Sequence, residues 1–413
     1  MTTIPPLLWE SLKTSFGYRY RAVIPQPTWE GLLGQSHLPV CVFSAKEGSV
    51  YIGSGIHRFF SPADMAALST TEPLFLSMLY ESLEAPSGIL PKHMVCITGR
   101  SVTLDLYADA PMTDASCEIL YQSLFGNQSD PKVCLANQTD TPTSDAWVAT
   151  VLTAQKEIAA GALEKIVLSR KSSFKRVLGQ DGCSLYTGFA AQLTHNGYHY
   201  FYRNAEYTLM GHSPEALLRV RGSEVAVDVV AGTRLSGCKK SLLNSSKDLA
   251  EHGIVLDYVQ NILAHYGAIQ KTPRVEMDLG VLTHLYQCVK ASVPKKLLGN
   301  LIQDLHPTPA ICGFPKQNAN LLIADLEQTS RGWYGGIFGL SIGDTMDLAV
   351  AIRGLLLTDT TCVAQVGAGI VAASDPVQEW QELNTKLHSV VSQLGDLEIL
   401  LQDMSIEKPS DAK

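Results

Sequence analysis

Residues 364–386 read AQVGAGIVAASDPVQEWQELNTK, and this stretch predicts a strand, a glycine turn and a helix in that order. Ala364–Val366 is short and apolar, which is typical of a buried strand. Gly367 and Gly369 allow backbone conformations that residues with side chains resist, and they therefore favour a turn after the strand. The same glycines match the G-x-G-x-x-A pattern of dinucleotide-binding folds, but no βαβ unit follows, which argues against such a fold.

The helix predicted after this turn can be capped by Ser374 or Asp375. Glu379, Glu382 and Lys386 are spaced i, i+3 and i+7 on it, so all three share one face. Two interpretations fit this face. Glu382 and Lys386 can form a solvated ion pair, or the two carboxylates and the ammonium can bind a cation and an anionic ligand. The choice between them depends on the rest of the chain.

Composition predicts a globular protein with free thiols. The chain has 413 residues, 46% of them hydrophobic, which is enough for one large domain or two. Its net charge of −8 argues against non-specific binding to nucleic acid. No apolar run is long enough to cross a membrane, and the N-terminus does not resemble a signal peptide. The nine cysteines form no C-x-x-C pair, which predicts a reducing, cytoplasmic location without disulfides or a zinc site.

The first third of the chain predicts a scaffold without recognisable chemistry. Its apolar segments predict strands at Val40–Phe43, Val50–Ile52 and Met94–Ile97. A polar, threonine-rich stretch at 135–144 predicts a loop that separates two parts. The predicted division is a divergent N-terminal part at 1–135, a catalytic part at 145–404 and a polar tail at 405–413.

Two ionisable residues lie at the ends of strands predicted after this loop. Lys165 begins the apolar segment KIVLSR, and it is either a surface lysine with a buried stem or a buried amine whose lowered pKa suits a general base. Glu215 follows Pro214 just before a predicted strand pair. It is either a solvated side chain that caps the end of a strand or a partly desolvated carboxyl that stays protonated, as a general acid must.

Two predicted helices each carry a pair of acidic residues on one face. Lys247–Leu263 predicts a helix with an apolar stripe, and Asp248 and Glu251 are three residues apart on it. The spacing is the same as that of Glu379 and Glu382. Magnesium usually binds one or two protein carboxylates and completes its shell with water and substrate oxygens, so the two helices together predict a Mg²⁺ site.

Further positions can contact an anionic ligand. Gly232 and Thr233 lie in a predicted glycine turn, AGTR, which can present backbone N–H groups to a carboxylate. Arg353 ends the buried strand LAVAIR, where an arginine needs an anionic partner. His284 lies near a strand-like segment and is either a hydrogen-bonded structural residue or a ligand-binding one.

In this order the motifs resemble those of the chorismate-utilising enzymes, which include anthranilate synthase component I, aminodeoxychorismate synthase, isochorismate synthase and salicylate synthase. The resemblance covers about Trp147–Leu394. It depends on KIVLSR, GHSPEALL, AGTR, KDLAEH, HPTPAICGFPK, YGGIFG, AIR, GAGIVAASDPVQEWQE and Lys386. It implies the α/β (α+β) fold of that family, a large antiparallel β-sandwich with flanking helices and a central active-site cleft.

The resemblance also implies a role for each matching residue. Glu215 matches the general acid, and Lys165 matches the general base of the members that add water. The magnesium-binding carboxylates and their acidic neighbours are matched by Glu251, Glu382, Asp248 and Glu379. The positions around the substrate carboxylates and the reacting ring are matched by Gly232, Thr233, Tyr334, Arg353, Gly367, Gly369, Lys386 and His284.

Within the family, Lys165 indicates water as the nucleophile, because the amine-adding members lack this lysine and need a glutaminase partner. HPTPA also resembles isochorismate synthases. The prediction is a Mg²⁺-dependent isochorismate synthase of menaquinone or siderophore biosynthesis that acts on chorismate without a glutaminase subunit. One departure is Ile337–Leu340, expected near the pocket wall, where isochorismate synthases often have other residues. A salicylate synthase and a non-catalytic chorismate-binding protein remain as alternatives.

Overall fold

The computed structural model describes residues 7–34, 38–44, 49–61, 72–82, 86–98, 100–124, 131–177, 183–193, 197–237, 241–278 and 282–394. The predicted polar tail lies outside these residues. Within them, no helix is long and apolar enough to span a membrane.

Antiparallel strands make up the largest part of the described chain. They are β1 (Glu10–Thr14), β2 (Gly17–Val23), β3 (Val40–Ser44), β4 (Ser49–Ser54), β5 (Arg58–Phe60), β6 (Leu74–Met78), β7 (Ser87–Leu90), β8 (His93–Thr98), β9 (Ser101–Ala108), β10 (Lys132–Thr141), β11 (Lys165–Val177), β12 (Cys183–Ser184), β13 (Tyr198–Arg203), β14 (Thr208–Ser213), β15 (Ala216–Arg221), β16 (Glu224–Leu235), β17 (Ile269–Lys271), β18 (Val275–Asp278), β19 (Leu282–Ser292), β20 (Gly313–Phe314), β21 (Ile337–Ile342), β22 (Thr345–Val350), β23 (Gly354–Leu357) and β24 (Thr361–Ile370). The strands predicted in the first third are confirmed as β3, β4 and β8.

Helices connect and cover these strands. They are α1 (Trp29–Leu33), α2 (Asp114–Leu124), α3 (Ser144–Ala159), α4 (Leu185–Gln192), α5 (Ser246–Tyr266), α6 (Leu298–Leu305), α7 (Lys316–Glu327) and α8 (Pro376–Val391), with 3₁₀ turns at Leu242–Asn244, Lys295–Leu297 and Ser392–Leu394.

The strands form two large sheets. The first has the order β1-β2-β9-β8-β4-β3-β13-β14-β23-β24-β11-β10-β12, and the second has the order β17-β19-β16-β15-β22-β21-β6-β7-β5. Strands from the first third of the chain enter both, because β3 pairs with β13 and β6 pairs with β21. Buried apolar residues of both sheets belong to one core. The predicted antiparallel sandwich with flanking helices is confirmed, whereas the division at 135–145 stays a prediction.

The capping side chains place the two acidic helices. The Ser245 side chain accepts a hydrogen bond from Asp248 N at the start of α5. Asp375 accepts hydrogen bonds from the backbone N–H groups of Val377 and Gln378 at the start of α8, as predicted, with Pro376 in the first turn. Helix α5 packs against β16 and β19, and α8 packs against β24. Helix α5 therefore lies on strands of the second sheet, and α8 lies on a strand of the first.

Three predicted irregular segments are strands instead. Gly367 and Gly369 lie inside β24, which pairs with β11 through both glycines. Gly232 lies inside β16, where it forms a bulge at a φ of 75° between Ala231 and Thr233. The predicted loop at 135–144 is wrong for most of its length, because β10 runs to Thr141 with an irregularity at residues 136–139. In each case pairing with a distant strand overrides the local turn propensity.

Candidate active site

A cavity lies where β11 and β24 of the first sheet approach β16 and β19 of the second, with α5 and α8 at its side. Residues from all these elements line it. The predicted residues among them are Lys165, Glu215, Gly232, Thr233, Glu251, His284, Tyr334, Arg353, Gly367, Gly369, Glu382 and Lys386. Asp248 and Glu379 lie behind this wall. The fold therefore gathers residues that are more than two hundred positions apart in the chain.

Lys165 is buried at the beginning of β11, with a side chain that is 1% exposed. Its Nζ forms an ion pair with Glu251 Oε1 at 2.9 Å. The surface-lysine interpretation is therefore wrong. Desolvation by burial acts to raise the pKa of the Glu251 carboxyl, but the charge and hydrogen bond of Lys165, with the charges of Lys247 and Lys386, outweigh it and hold that pKa below its usual value.

Gly369 makes room for this ion pair. A Cβ at position 369 would overlap Glu251 Oε1 and lie 3.0 Å from Lys165 Cε. Gly367 has the same function for another group, because a Cβ there would overlap the Tyr334 hydroxyl. The glycine pair thus permits close approach of functional side chains to the face of β24, and the turn that glycines allow is not used here.

We expect Gly369→Ala to lower the turnover of this site by about 10²-fold, because displacing catalytic groups by about 1 Å has effects of that size. The added methyl group must push the Glu251 carboxylate or the Lys165 side chain away. Steady-state kinetics with a circular dichroism spectrum would measure the effect. Gly253→Ala is the control, since a Cβ at 253 meets open space. Full activity of Gly369→Ala would show that the close approach is unimportant.

Glu215 is held between β14 and β15 and is 3% exposed. Its backbone N–H donates to Ser213 Oγ at 3.3 Å, and its carbonyl oxygen accepts from Val350 N at 3.1 Å. The interpretation of Glu215 as a solvated strand end is therefore wrong. Its negative charge also acts on Arg353. Desolvation lowers the pKa of Arg353 to about 10, and the charges of Glu215 and Glu382 oppose that shift.

His284 orients Arg353 at the cavity. The Arg353 Nη2 donates to His284 Nε2 at 2.7 Å, so Nδ1 carries the imidazole proton. Nδ1 lies 3.1 Å from Thr233 Oγ1 and 3.3 Å from the carbonyl oxygen of Gly232. Desolvation, then Arg353 and Lys386, lower the pKa of His284 well below its usual value. His284 is therefore a neutral, hydrogen-bonded residue that also lines the cavity.

Lys386 links α8 to β24. Its Nζ forms an ion pair with Glu382 at 2.6 Å and donates to the carbonyl oxygen of Gly367 at 2.8 Å. The two side chains are 17% and 21% exposed, so the predicted pair forms, but it is not a fully solvated one. Lys386 and Arg353 supply the positive charge that an anionic ligand needs.

Asp248 and Glu379 do not line the cavity but lie next to the carboxylates that do, Glu251 and Glu382. Asp248 packs against Gly232, where a Cβ would lie 3.0 Å from Asp248 Cβ. Desolvation raises the pKa of Asp248, as do Glu251 and Glu382. Desolvation and then Glu382 also raise the pKa of Glu379, which is 3% exposed and forms an ion pair with Lys247 at 2.6 Å. The negative charges near Asp248 and Glu379 thus disfavour ionisation of these two carboxyls, and a cation would be stabilised at this place.

The donor set fits a hard divalent cation of the Mg²⁺ type. In the part of the chain that the structure describes, no group of three or more His, Cys, Asp or Glu side chains is arranged to hold a metal ion. Magnesium needs only one or two protein carboxylates, with water and substrate oxygens completing its shell. Glu251 and Glu382, which both line the cavity, are the two that can serve.

Several residues at or beside the cavity carry no signal that identifies them in the sequence alone. Lys247 lies in KDLAEH, but only the folded structure shows that it forms an ion pair with Glu379. Gln365 lines the cavity and donates to Ser169 Oγ at 2.7 Å. Ala310 and Ile311 of HPTPAICG also line it, whereas Ile337–Leu340 do not. Ile337–Leu340 lie in β21 between β6 and β22 and do not line the cavity, so their difference from isochorismate synthases does not change the cavity wall directly.

We expect the protein to lose stability as the pH falls from about 6.5 to about 4. Desolvation lowers the pKa of His252 and of His306 to about 4 from an ordinary 6.5. The unfolded chain binds these protons first, so each histidine would reduce the free energy of unfolding by about 1.4 kcal/mol per pH unit in this window. Urea midpoints at pH 7.5 and pH 5 would measure the loss. His306→Asn should show a smaller loss, and an unchanged pH dependence would contradict this account.

Comparison with known proteins gives both a family and relatives. A family model described as chorismate binding enzyme matches residues 64–392. Anthranilate synthase component 1 of Neisseria gonorrhoeae is 31% identical over 254 residues, which are 57% of this chain and 50% of that protein. Isochorismate synthase MenF of Bacillus subtilis is 30% identical over 288 residues, 66% of this chain and 59% of that protein. The chain spans about half the length of the curated relatives it matches.

Solved structures share the architecture. The menaquinone-specific isochorismate synthase MenF of Escherichia coli aligns with a TM-score of 0.77 at 22% identity, over 93% of this chain and 96% of that chain. Anthranilate synthase component I of Streptococcus pneumoniae aligns with a TM-score of 0.66 at 20% identity, over 95% and 93% of the two chains. At these identities the likeness concerns the fold alone.

Proposed function

Because the chain belongs to the family of chorismate binding enzymes, we propose that it is a Mg²⁺-dependent isochorismate synthase. The observation that carries the proposal is the burial of an amine and a carboxyl, Lys165 and Glu215, in the wall of one cavity. That cavity also holds cations for an anionic substrate and carboxylates for a metal ion. The lysine favours water as the nucleophile over ammonia.

The reaction exchanges a hydroxyl group between two ring positions of chorismate. Water attacks C2, and the C4 hydroxyl leaves as water, so the atoms of substrate and product balance. Lys165 would take the proton from the attacking water. Glu215 would donate a proton to the leaving hydroxyl group. Both groups are held in the interior, where positioned acids and bases are most effective.

Lys165 must be neutral to accept a proton, and its counter-ion in the structure is Glu251. Glu251 would therefore be shared between Lys165 and a metal ion held at the acidic residues, so the base and the metal site of the proposed mechanism would be coupled through one carboxylate.

The remaining polar residues would bind and orient the substrate carboxylates. Arg353, oriented by His284, and Lys386 would hold the enolpyruvyl carboxylate. The bulge at Gly232 and Thr233 and the Tyr334 hydroxyl lie around the same cavity. Fixing the ring between these groups would convert the attack of water into a favourably oriented step.

Glu251 and Glu382 would hold Mg²⁺, with Asp248 and Glu379 as acidic neighbours. When bound, the ion would neutralise the ring carboxylate and stabilise developing negative charge. The proposal includes no glutaminase subunit. It places the protein in menaquinone or siderophore biosynthesis, as the names of its relatives indicate for those proteins.

A product assay tests this function. Purified protein is incubated with chorismate and Mg²⁺, with an EDTA-treated control, and the products are separated by chromatography. Isochorismate alone, abolished by EDTA, is the expected result. Salicylate with pyruvate would instead identify a salicylate synthase. No turnover, with chorismate still bound, would identify a non-catalytic binding protein.

A further inference from the structure

Lys247 joins the two acidic helices although it does not line the cavity. It lies in the first turn of α5, and its Nζ contacts Glu379 Oε1 of α8 at 2.6 Å. The Glu379 side chain is 3% exposed and the Lys247 side chain 32%. A carboxylate this deeply buried needs a cation, and Lys247 supplies it.

Lys247 differs from the other two lysines of the acidic cluster, which we define as Asp248, Glu251, Glu379 and Glu382. Lys165 and Lys386 line the cavity and have proposed roles with water and substrate. The proposed mechanism gives Lys247 no role. Its charge nevertheless acts on the cluster beyond Glu379, because it stabilises the ionised forms of Asp248 and Glu251.

We propose that Lys247 is the counter-ion of Glu379 within the acidic cluster and that its positive charge competes with the divalent cation for the cluster. This inference rests on the proposed Mg²⁺ site. Two cations near the same carboxylates repel each other, and the repulsion is strong where water is largely excluded. Lys247 therefore keeps the metal-free cluster folded and weakens the binding of the ion. Metal binding would be loose and readily reversible as a result.

Isothermal titration of the full-length protein with Mg²⁺ alone tests the inference. Lys247→Met removes the charge and keeps much of the apolar stem. We expect its Kd for Mg²⁺ to fall at least tenfold, and its metal-free melting temperature to fall below that of the wild type. Saturating Mg²⁺ should restore the melting temperature. Lys247→Arg keeps the charge and should bind Mg²⁺ within about threefold of the wild type.

Lys290→Met is the matched control, because it removes a lysine from an exposed ion pair with Glu224. It should change neither the Kd nor the melting temperature appreciably. If Lys247→Met does not fold, Lys247→Gln tests the same loss of charge with a polar side chain that can still contact Glu379.

The possible outcomes separate the two proposals. Weaker or unchanged Mg²⁺ binding by Lys247→Met and Lys247→Gln, with normal binding by the wild type, overturns this inference alone, since Lys247 would then only position Glu379. A wild-type protein that binds no Mg²⁺ overturns the metal site itself and the inference with it.

Discussion

Lys165→Met should form isochorismate with a kcat lower by about 10²–10⁴-fold, which is the usual contribution of a positioned general base. Methionine fills a similar volume in the buried position but cannot accept the proton of the attacking water. Because Lys165 is 1% exposed, bulk water has little access to its position and cannot readily act as the base in its place. Initial rates at saturating chorismate and Mg²⁺ would measure the loss.

The control for this substitution is Lys171→Met. Lys171 projects from the same face of β11, six residues later, and its Nζ donates to the carbonyl oxygen of Ser330 at 2.6 Å. It does not line the cavity with Lys165, and we expect its loss to change kcat by less than about threefold. A Lys165→Met protein that turns over chorismate at the full rate would overturn the assignment of the base.

Loss of the Glu251 ion pair is a separate effect of Lys165→Met that can be measured directly. The freed carboxylate should bind Mg²⁺ at least as tightly as in the wild type, because a competing positive charge is removed. Calorimetry would therefore show that the lost activity does not come from a lost metal ion. Failure to bind Mg²⁺ would instead indicate that Lys165 mainly holds Glu251 in place.

Glu382→Ala should lower kcat by more than about 10³-fold, since a metal ion contributes several kcal/mol of charge stabilisation. Glu382 lines the cavity from α8 and, with Glu251, would be one of only two protein ligands to Mg²⁺. In the wild type, we expect chorismate to raise the melting temperature more in the presence of Mg²⁺ than in EDTA. In Glu382→Ala that dependence on Mg²⁺ should vanish.

Glu224→Ala removes an acidic residue from the exposed pair with Lys290 and serves as the control, with unchanged kinetics expected. Retention of the Mg²⁺ dependence in Glu382→Ala would contradict its role as a ligand. A wild-type protein that shows Mg²⁺-dependent binding of chorismate but no turnover would support the non-catalytic alternative, even if Glu382 holds the metal.

Local patterns in the sequence determined the helices that bear the acidic cluster. The cap at Asp375, the proline after it and the three-residue spacing of Glu379 and Glu382 depend only on neighbouring residues, and the structure shows the same helix start. The order of the motifs identified the family, and the antiparallel sandwich followed from that resemblance. The helix start and the spacing of the acidic residues could be read without the fold because their physical causes are short-range.

Burial and strand pairing could not be read in this way. The sequence allowed Lys165 to be a surface residue, and it favoured a turn at Gly367 and Gly369. In the structure β11 and β24 pair along their length, which leaves Gly369 beside the Lys165–Glu251 ion pair. Lys247 and Glu379 are 132 residues apart and meet only through helix packing. The tertiary structure alone decided these features, because side-chain burial and charge pairing depend on which distant segments the core brings together.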